Sequence, residues 1–168
     1  MATPILTLIE TELQTLLAGL RVANGYQLNW SPVNLEDRAL EDYDNYNCFS
    51  CVYWQSEENH DNVNMVHAGA YSNKATYTIE SRVPLLSESV KPKFDARSRL
   101  YMAQEDIKRL FGNFQTLNST YASNVQYLDS SIIDDIYQRG DRFTPIMLKT
   151  TIEVWYFQCR INPSVVVN

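Results

Sequence analysis

The last quarter of the chain constrains the fold most, because residues 145–161 have the alternation of one long strand. The even positions form a steady core face: Ile146, Leu148, Thr150, Ile152, Val154 and Tyr156. The odd positions begin mixed and turn apolar toward the end: Trp155, Phe157, Cys159 and Ile161. A strand with one wet face alternates throughout. The pattern therefore predicts that another layer of the chain, or another copy of it, covers the end of the odd face.

Two other segments have helical periodicity. Residues 4–20 place apolar side chains three and four apart: Ile5, Ile9, Leu13, Leu16, Leu17 and Leu20. A second amphipathic helix is predicted over 94–111, where Gly112 ends it. A short strand is predicted at 26–30, and further strands at 47–55 and 75–85 with a polar loop at 56–64. One or two short strands, interrupted at 129–131, are predicted in 125–137.

This order of elements predicts the fold class. A chain of 168 residues suits a single domain over 1–168. Neighbouring strands joined by short turns favour antiparallel pairing, and two amphipathic helices can cover one face of the resulting sheet. We therefore expect an α+β domain whose mostly antiparallel sheet ends in a long C-terminal β-hairpin.

The charge of the chain argues against two kinds of partner. The formal net charge of −6 opposes binding to nucleic-acid phosphates and to an anionic membrane surface. Basic residues on the second predicted helix are interspersed with Asp95, Glu105 and Asp106, which predicts a solvated face of mixed charge. No apolar run approaches the roughly 18 residues of a membrane span, and Glu10 and Glu12 interrupt the N-terminal segment. We expect no membrane association and no targeting signal.

The sequence contains no pattern of catalytic or metal-binding residues. Cys48 and Cys51 lie in a predicted strand, where residues three apart point to opposite faces, which is poor geometry for a shared metal or a mutual disulfide. His60 and His67 lie in a polar segment without further metal ligands at suitable spacing. The adjacent carboxylates at 134–135 diverge on a strand. We predict no catalytic, cofactor or metal site, and a protein that is not an enzyme.

Several features together resemble the tail-terminator, or tail-completion, proteins of long-tailed bacteriophages. They are the helix at 4–20 leading to Asn24-Gly25-Tyr26, the central strands, a helix with Ala103, Asp106, Lys108, Arg109 and Leu110, and a final hairpin ending Val154-Trp155-Tyr156 before Asn162-Pro163. The segment 57–71 is longer than the family's pattern. The resemblance is one of element order and covers most of the chain.

The resemblance implies a structural virion protein. Such proteins form a homohexameric ring that caps the tail tube, stops its elongation and provides the head-joining surface. The implied partners are further copies of the chain, the tail tube protein and a head-neck or connector protein, and DNA passes through the ring without specific binding. The implied location is the neck region of the virion tail, and the host cytoplasm during assembly. Six copies carry a formal charge of 6 × (−6) = −36, which suits a lumen that repels DNA.

A ring requires a heterologous interface, in which one patch meets a different patch on the next copy. We predict that Trp155, Phe157 and Ile161 form one side of this interface. The alternative is that the N-terminal helix or the tail at 165–167 covers them within one subunit. Three other functions stay open from the residues alone: a head–tail connector or neck protein, a small enzyme whose groups assemble only in space, and a cellular binding module.

Overall fold

The structure, a computed structural model, describes residues 4–32, 48–59, 70–83, 92–112, 124–133 and 146–159. Helix α1 is Ile5–Ala18, and a short 3-10 turn at Val22–Asn24 follows it. The remaining elements, in chain order, are β1 (Trp30–Pro32), β2 (Cys48–Asn59), β3 (Ala70–Arg82), α2 (Pro92–Phe111), β4 (Asn124–Ile133) and β5 (Met147–Cys159).

The five strands form one sheet in the order β1-β2-β3-β5-β4. Only β1 and β2 are parallel; the other three pairs are antiparallel. Consecutive strands β4 and β5 form the expected C-terminal hairpin. The longest pairing joins β3 to β5, from Ala70 opposite Cys159 to Arg82 opposite Met147. The predicted α+β fold with a mostly antiparallel sheet is therefore confirmed.

Both helices pack on one face of this sheet and form the core with it. Helix α1 contacts β1 and β2, whereas α2 contacts β4, β5 and β3. The most deeply buried side chains come from the predicted helical stripes and from the inner positions of the strands: Ile9, Leu13, Leu17, Leu100, Ile107, Tyr77, Ile79, Ile152 and Val154. The even positions from Ile146 to Tyr156 are all buried, so the core face predicted for this strand is confirmed.

The structure corrects several predicted bounds. Strand β3, expected over 75–85, runs from Ala70 to Arg82. Residues 56–59, expected in a loop, continue β2, because they pair with β3 after a register shift between Trp54 and Ser56. The segment around Ser130 does not interrupt β4, because a shift between Tyr127 and Asp129 keeps the pairing with β5. The strand expected over 26–30 begins only at Trp30.

Several predicted features lie outside the described residues. They are the histidines His60 and His67, the carboxylates at 134–135, the tail at 165–167 and Ile161. Within the described helices, the structure has no segment with the length and apolar character needed to cross a membrane.

Candidate interaction surface

The face of the sheet opposite the helices, here called the open face, carries the predicted interface residues of β5. Trp155 lies opposite Lys74 of β3, and Phe157 lies opposite Ser72. Helix α1 lies on the other face, where the Leu6 carbonyl accepts a hydrogen bond from the hydroxyl of the inward-facing Tyr77. In the described part of the chain, then, neither helix covers the odd positions of β5.

Along β5, exposure on this face increases toward one end of the sheet, here called the distal end: residues 57–59 of β2, 70–74 of β3 and 155–159 of β5. Ser72 of β3, opposite Phe157, is buried. Met147, at the other end of β5, is buried. Trp155 is half-buried and Phe157 is 37% exposed. The structure thus places two of the three predicted interface residues together at the distal end, and the third, Ile161, lies outside the described residues.

Lys74 organises the charge at this end of the open face. Its Nζ lies 2.9 Å from Oε1 of Glu153 on β5 and 3.2 Å from Oε2 of Glu58 on β2. The same ammonium lies 5.7 Å from the centre of the Trp155 ring, within the range of a cation–π contact. The hydrogen bond to Glu153, followed by the one to Glu58, raises the pKa of Lys74. Lys74 therefore links three neighbouring strands through charge and holds the indole in place.

The helix-side face of the distal end is polar as well. The Tyr156 hydroxyl donates a hydrogen bond to Oε1 of Glu57, and Nδ2 of Asn73 donates to Oε1 of Gln158 over 2.9 Å. Burial, and then the hydrogen bond to Glu57, raises the pKa of Tyr156. Side chains on both faces therefore cross-link β2, β3 and β5 at this end.

The two outer edges of the sheet carry exposed apolar side chains that sequence reasoning missed. Strand β1 pairs with β2 only at residues 48–50, so no described strand pairs with the outer edge of β2 beyond them. Tyr53 and Trp54 lie there, and Trp54 is 46% exposed. At the opposite edge, Leu128 sits at the register shift of β4 and is 42% exposed. Strand order decides which residues lie at an edge, and no local pattern reveals it.

Asp106 is the second feature that the sequence pattern did not predict. Its side chain is only 2% exposed, although it was expected on a solvated helix face. Its carboxylate accepts hydrogen bonds from the Gln27 amide (2.9 Å), the Leu28 amide (3.0 Å) and Nε1 of Trp30 (3.2 Å). The spacing could have revealed this position, because Asp106 lies three residues after Ala103 and four before Leu110, on the core stripe.

Arg109 completes the connection between α2 and the segment after α1. Its Nη1 donates a hydrogen bond to the Gly25 carbonyl over 2.6 Å, and its guanidinium lies 5.1 Å from the centre of the Tyr26 ring. Gly25 has φ = 84°, a conformation that favours glycine. Two of the segments that carry the family resemblance, residues 24–26 and the second half of α2, are thus in direct contact.

The cysteines are placed as predicted. Cys48 is buried on the helix side of the sheet and Cys51 on the open face, and neither forms a disulfide within the described residues. Burial raises the pKa of the Cys48 thiol. Within the described ranges there is no group of three or more His, Cys, Asp or Glu side chains that could hold a metal ion.

Comparison with protein-family models and with curated proteins finds no match to this chain. The likeness to tail terminators therefore depends on the order of the helices and strands and on the residues named above. Membership of that family stays a prediction.

Proposed function

We propose that this chain is a structural protein that assembles into a homohexameric ring, as the tail terminators it resembles do. The observation that carries the proposal is the distal end of the open face. Phe157 is exposed there beside Trp155, and no described helix packs over either ring. Aromatic side chains of this kind are favoured anchors of protein interfaces.

The setting of Trp155 also supports the proposal. Its ring lies beside the Lys74 ammonium, which is itself held by carboxylates from two neighbouring strands. A side chain that is already ordered loses less conformational entropy when a partner binds. Trp155 is thus suited to act as a preorganised part of a contact between subunits.

The proposed ring caps the tail tube of a long-tailed bacteriophage, stops its elongation and joins it to the head. The acidic charge of −6 per copy favours a lumen through which DNA slides without specific binding. In this role the protein contacts the tail tube protein on one side and a head-neck protein on the other. It occupies the neck of the virion tail and assembles in the host cytoplasm.

The mass of the purified protein tests the ring. We expect light scattering to give about 116 kDa, six copies of 19.4 kDa, and electron microscopy to show a ring with a central hole. Phe157→Glu places a charge in the proposed contact and is expected to reduce the mass to that of one copy. Val22→Glu, at an exposed position outside the strands, serves as the control and should leave the ring intact.

The capping role needs a second experiment. When the protein is expressed with the tail tube protein of the same virus, we expect tubes of limited length that carry a ring at one end. Tubes of unlimited length in the presence of an intact ring would contradict the capping role. A wild-type protein that stays monomeric at every concentration would contradict the ring itself.

A further inference from the structure

We infer that Lys74 neutralises Glu153 at the contact between subunits, so that the distal end of the open face can be buried when the ring forms. This inference rests on the proposed function and names the residue on which its interface depends. Trp155 and Phe157 supply the apolar surface of the contact. Burying such a surface is favourable only if the charges beside it are compensated, because an unpaired charge that loses its water is strongly destabilising.

The charge beside the indole is the carboxylate of Glu153. It lies two residues before Trp155 in β5, so both side chains point to the open face. Its direct neighbours on the adjacent strands are uncharged: Thr76 of β3 and Gln126 of β4. The Glu153 side chain is 16% exposed in a single copy. A subunit that docks on Trp155 and Phe157 therefore removes much of the water that still reaches this carboxylate.

Lys74 compensates this charge from the neighbouring strand. Its Nζ lies 2.9 Å from Oε1 of Glu153, and within the described part of the chain no other cation lies within 4 Å of that carboxylate. The hydrogen bond to Glu153, followed by the one to Glu58, raises the pKa of Lys74, so the ammonium is charged at neutral pH. Glu58 is 61% exposed and lies on the side of Lys74 away from Trp155, where water can hydrate it.

Folding and assembly depend on this pair to different degrees. In a single copy of a Lys74→Met variant, water still reaches part of Glu153, so the folded subunit keeps most of its stability. In a ring of the same variant, the docked subunit would bury the carboxylate without its cation, which costs far more than burying the intact pair. Assembly should therefore weaken more than folding, and removal of the Glu153 charge as well should restore it.

Four proteins test the inference: the wild type, Lys74→Met, Glu153→Gln and the double variant. Light scattering over a dilution series gives the protein concentration at which half of the chains are in rings. We expect Lys74→Met to raise this concentration about tenfold or more. The double variant, which has neither charge, should return to within about threefold of the wild type, as should Glu153→Gln, in which Lys74 keeps its contact with the hydrated Glu58.

Lys149→Met is the matched control. Lys149 is a second lysine on the open face, it lies opposite Glu80 of β3, and it is outside the distal end. The change removes one cation beside one carboxylate, as Lys74→Met does, but at a place where the proposed contact does not bury them. We therefore expect Lys149→Met to assemble as the wild type does. An equal loss of assembly in both variants would overturn the inference.

The other outcomes separate this inference from the proposed function. A wild-type monomer would overturn both. A wild-type ring together with a Lys74→Met ring of the same strength would overturn the inference alone. So would a double variant that assembles no better than Lys74→Met, because Lys74 would then act on the indole and not on the Glu153 charge. Circular dichroism and urea denaturation check that each variant is folded, and Lys74→Gln replaces Lys74→Met if that variant is not.

Discussion

Asp106 and Lys74 are each held by several polar contacts, and they lie on opposite faces of the same sheet. Asp106 is buried under the helices, where its carboxylate accepts two backbone amides and one indole N–H. Lys74 lies on the open face, where its ammonium meets two carboxylates and one aromatic ring, and one of those carboxylates, Glu58, is 61% exposed. Both clusters join segments that are distant in the sequence.

The two clusters differ in whether water can hydrate the polar groups that are left behind when the central residue is removed. If Asp106 is removed, buried donors lose their acceptor and little water can reach them, which costs the full desolvation of each group. If Lys74 is removed, Glu58 can still be hydrated, whereas Glu153, whose side chain is 16% exposed, keeps only part of its contact with water. The Asp106 cluster is therefore part of what holds the fold together, whereas the Lys74 cluster shapes a surface and contributes less to stability.

The largest effect is expected for Asp106→Ala. This change leaves the Gln27 and Leu28 amides and the Trp30 indole without their acceptor. We expect the free energy of unfolding to fall by about 3–5 kcal/mol, measured by urea denaturation. Glu105→Ala is the matched control: among the described residues, the Glu105 carboxylate accepts a hydrogen bond from the exposed Gln27 side chain alone, so the loss should stay below about 1 kcal/mol. Equal losses in the two variants would show that Asp106 is not the structural anchor.

A smaller effect is expected for Arg109→Met, at the exposed end of the same connection. The variant loses the hydrogen bond to the Gly25 carbonyl and the cation–π contact with Tyr26, but keeps an apolar side chain. We expect a loss of about 1 kcal/mol in the free energy of unfolding. A loss as large as that of Asp106→Ala would show that the exposed contacts of Arg109 stabilise the fold as strongly as the buried contacts of Asp106.

These clusters also show which parts of the fold the sequence could predict. The steadily apolar even face of β5 and the helical stripes of α1 and α2 report burial directly, so the core was predicted from them. Asp106 was missed because a carboxylate on a helix is usually solvated, and its burial depends on two amides and an indole N–H that lie 76–79 residues away in sequence. Glu57, Glu58 and Asn59 are poor strand formers, and they are held in β2 by their pairing with β3.

The interaction surface was predicted in part for a similar reason. The odd positions of β5 predicted an apolar surface at Trp155 and Phe157, and the structure places both on the open face. The exposed positions Trp54 and Leu128 could not be predicted, because their exposure depends on which strands form the edges of the sheet. That order is set by long-range packing, which leaves no local pattern.

On the open face, Lys74→Met is expected to cost about 1 kcal/mol of unfolding free energy at pH 7, because Glu58 stays hydrated and the mostly buried Glu153 loses its ammonium contact. The Lys74 pKa is raised in the folded protein, so the contribution of its charge is fully present below the unfolded pKa of about 10.4 and is lost as the pH rises through the folded value. The stability difference between wild type and variant should therefore stay constant from pH 7 to about 10 and shrink above it. A difference that shrinks already near pH 8 would contradict the assignment to the Lys74 charge.

The smallest effect, and one of opposite sign, is expected where a buried polar group has no acceptor or donor to meet. Ser81 is fully buried on the helix side of β3, and its Oγ has no hydrogen-bond partner among the described residues. Ser81→Ala removes this unpaired hydroxyl and should leave the free energy of unfolding unchanged or raise it by up to about 1 kcal/mol. Ser130→Ala is the matched control: its hydroxyl lies 2.8 Å from that of Thr150, so its removal should lower stability by about 0.5–1.5 kcal/mol. If Ser81→Ala were the more destabilising of the two, the contrast between satisfied and unsatisfied buried polar groups would fail.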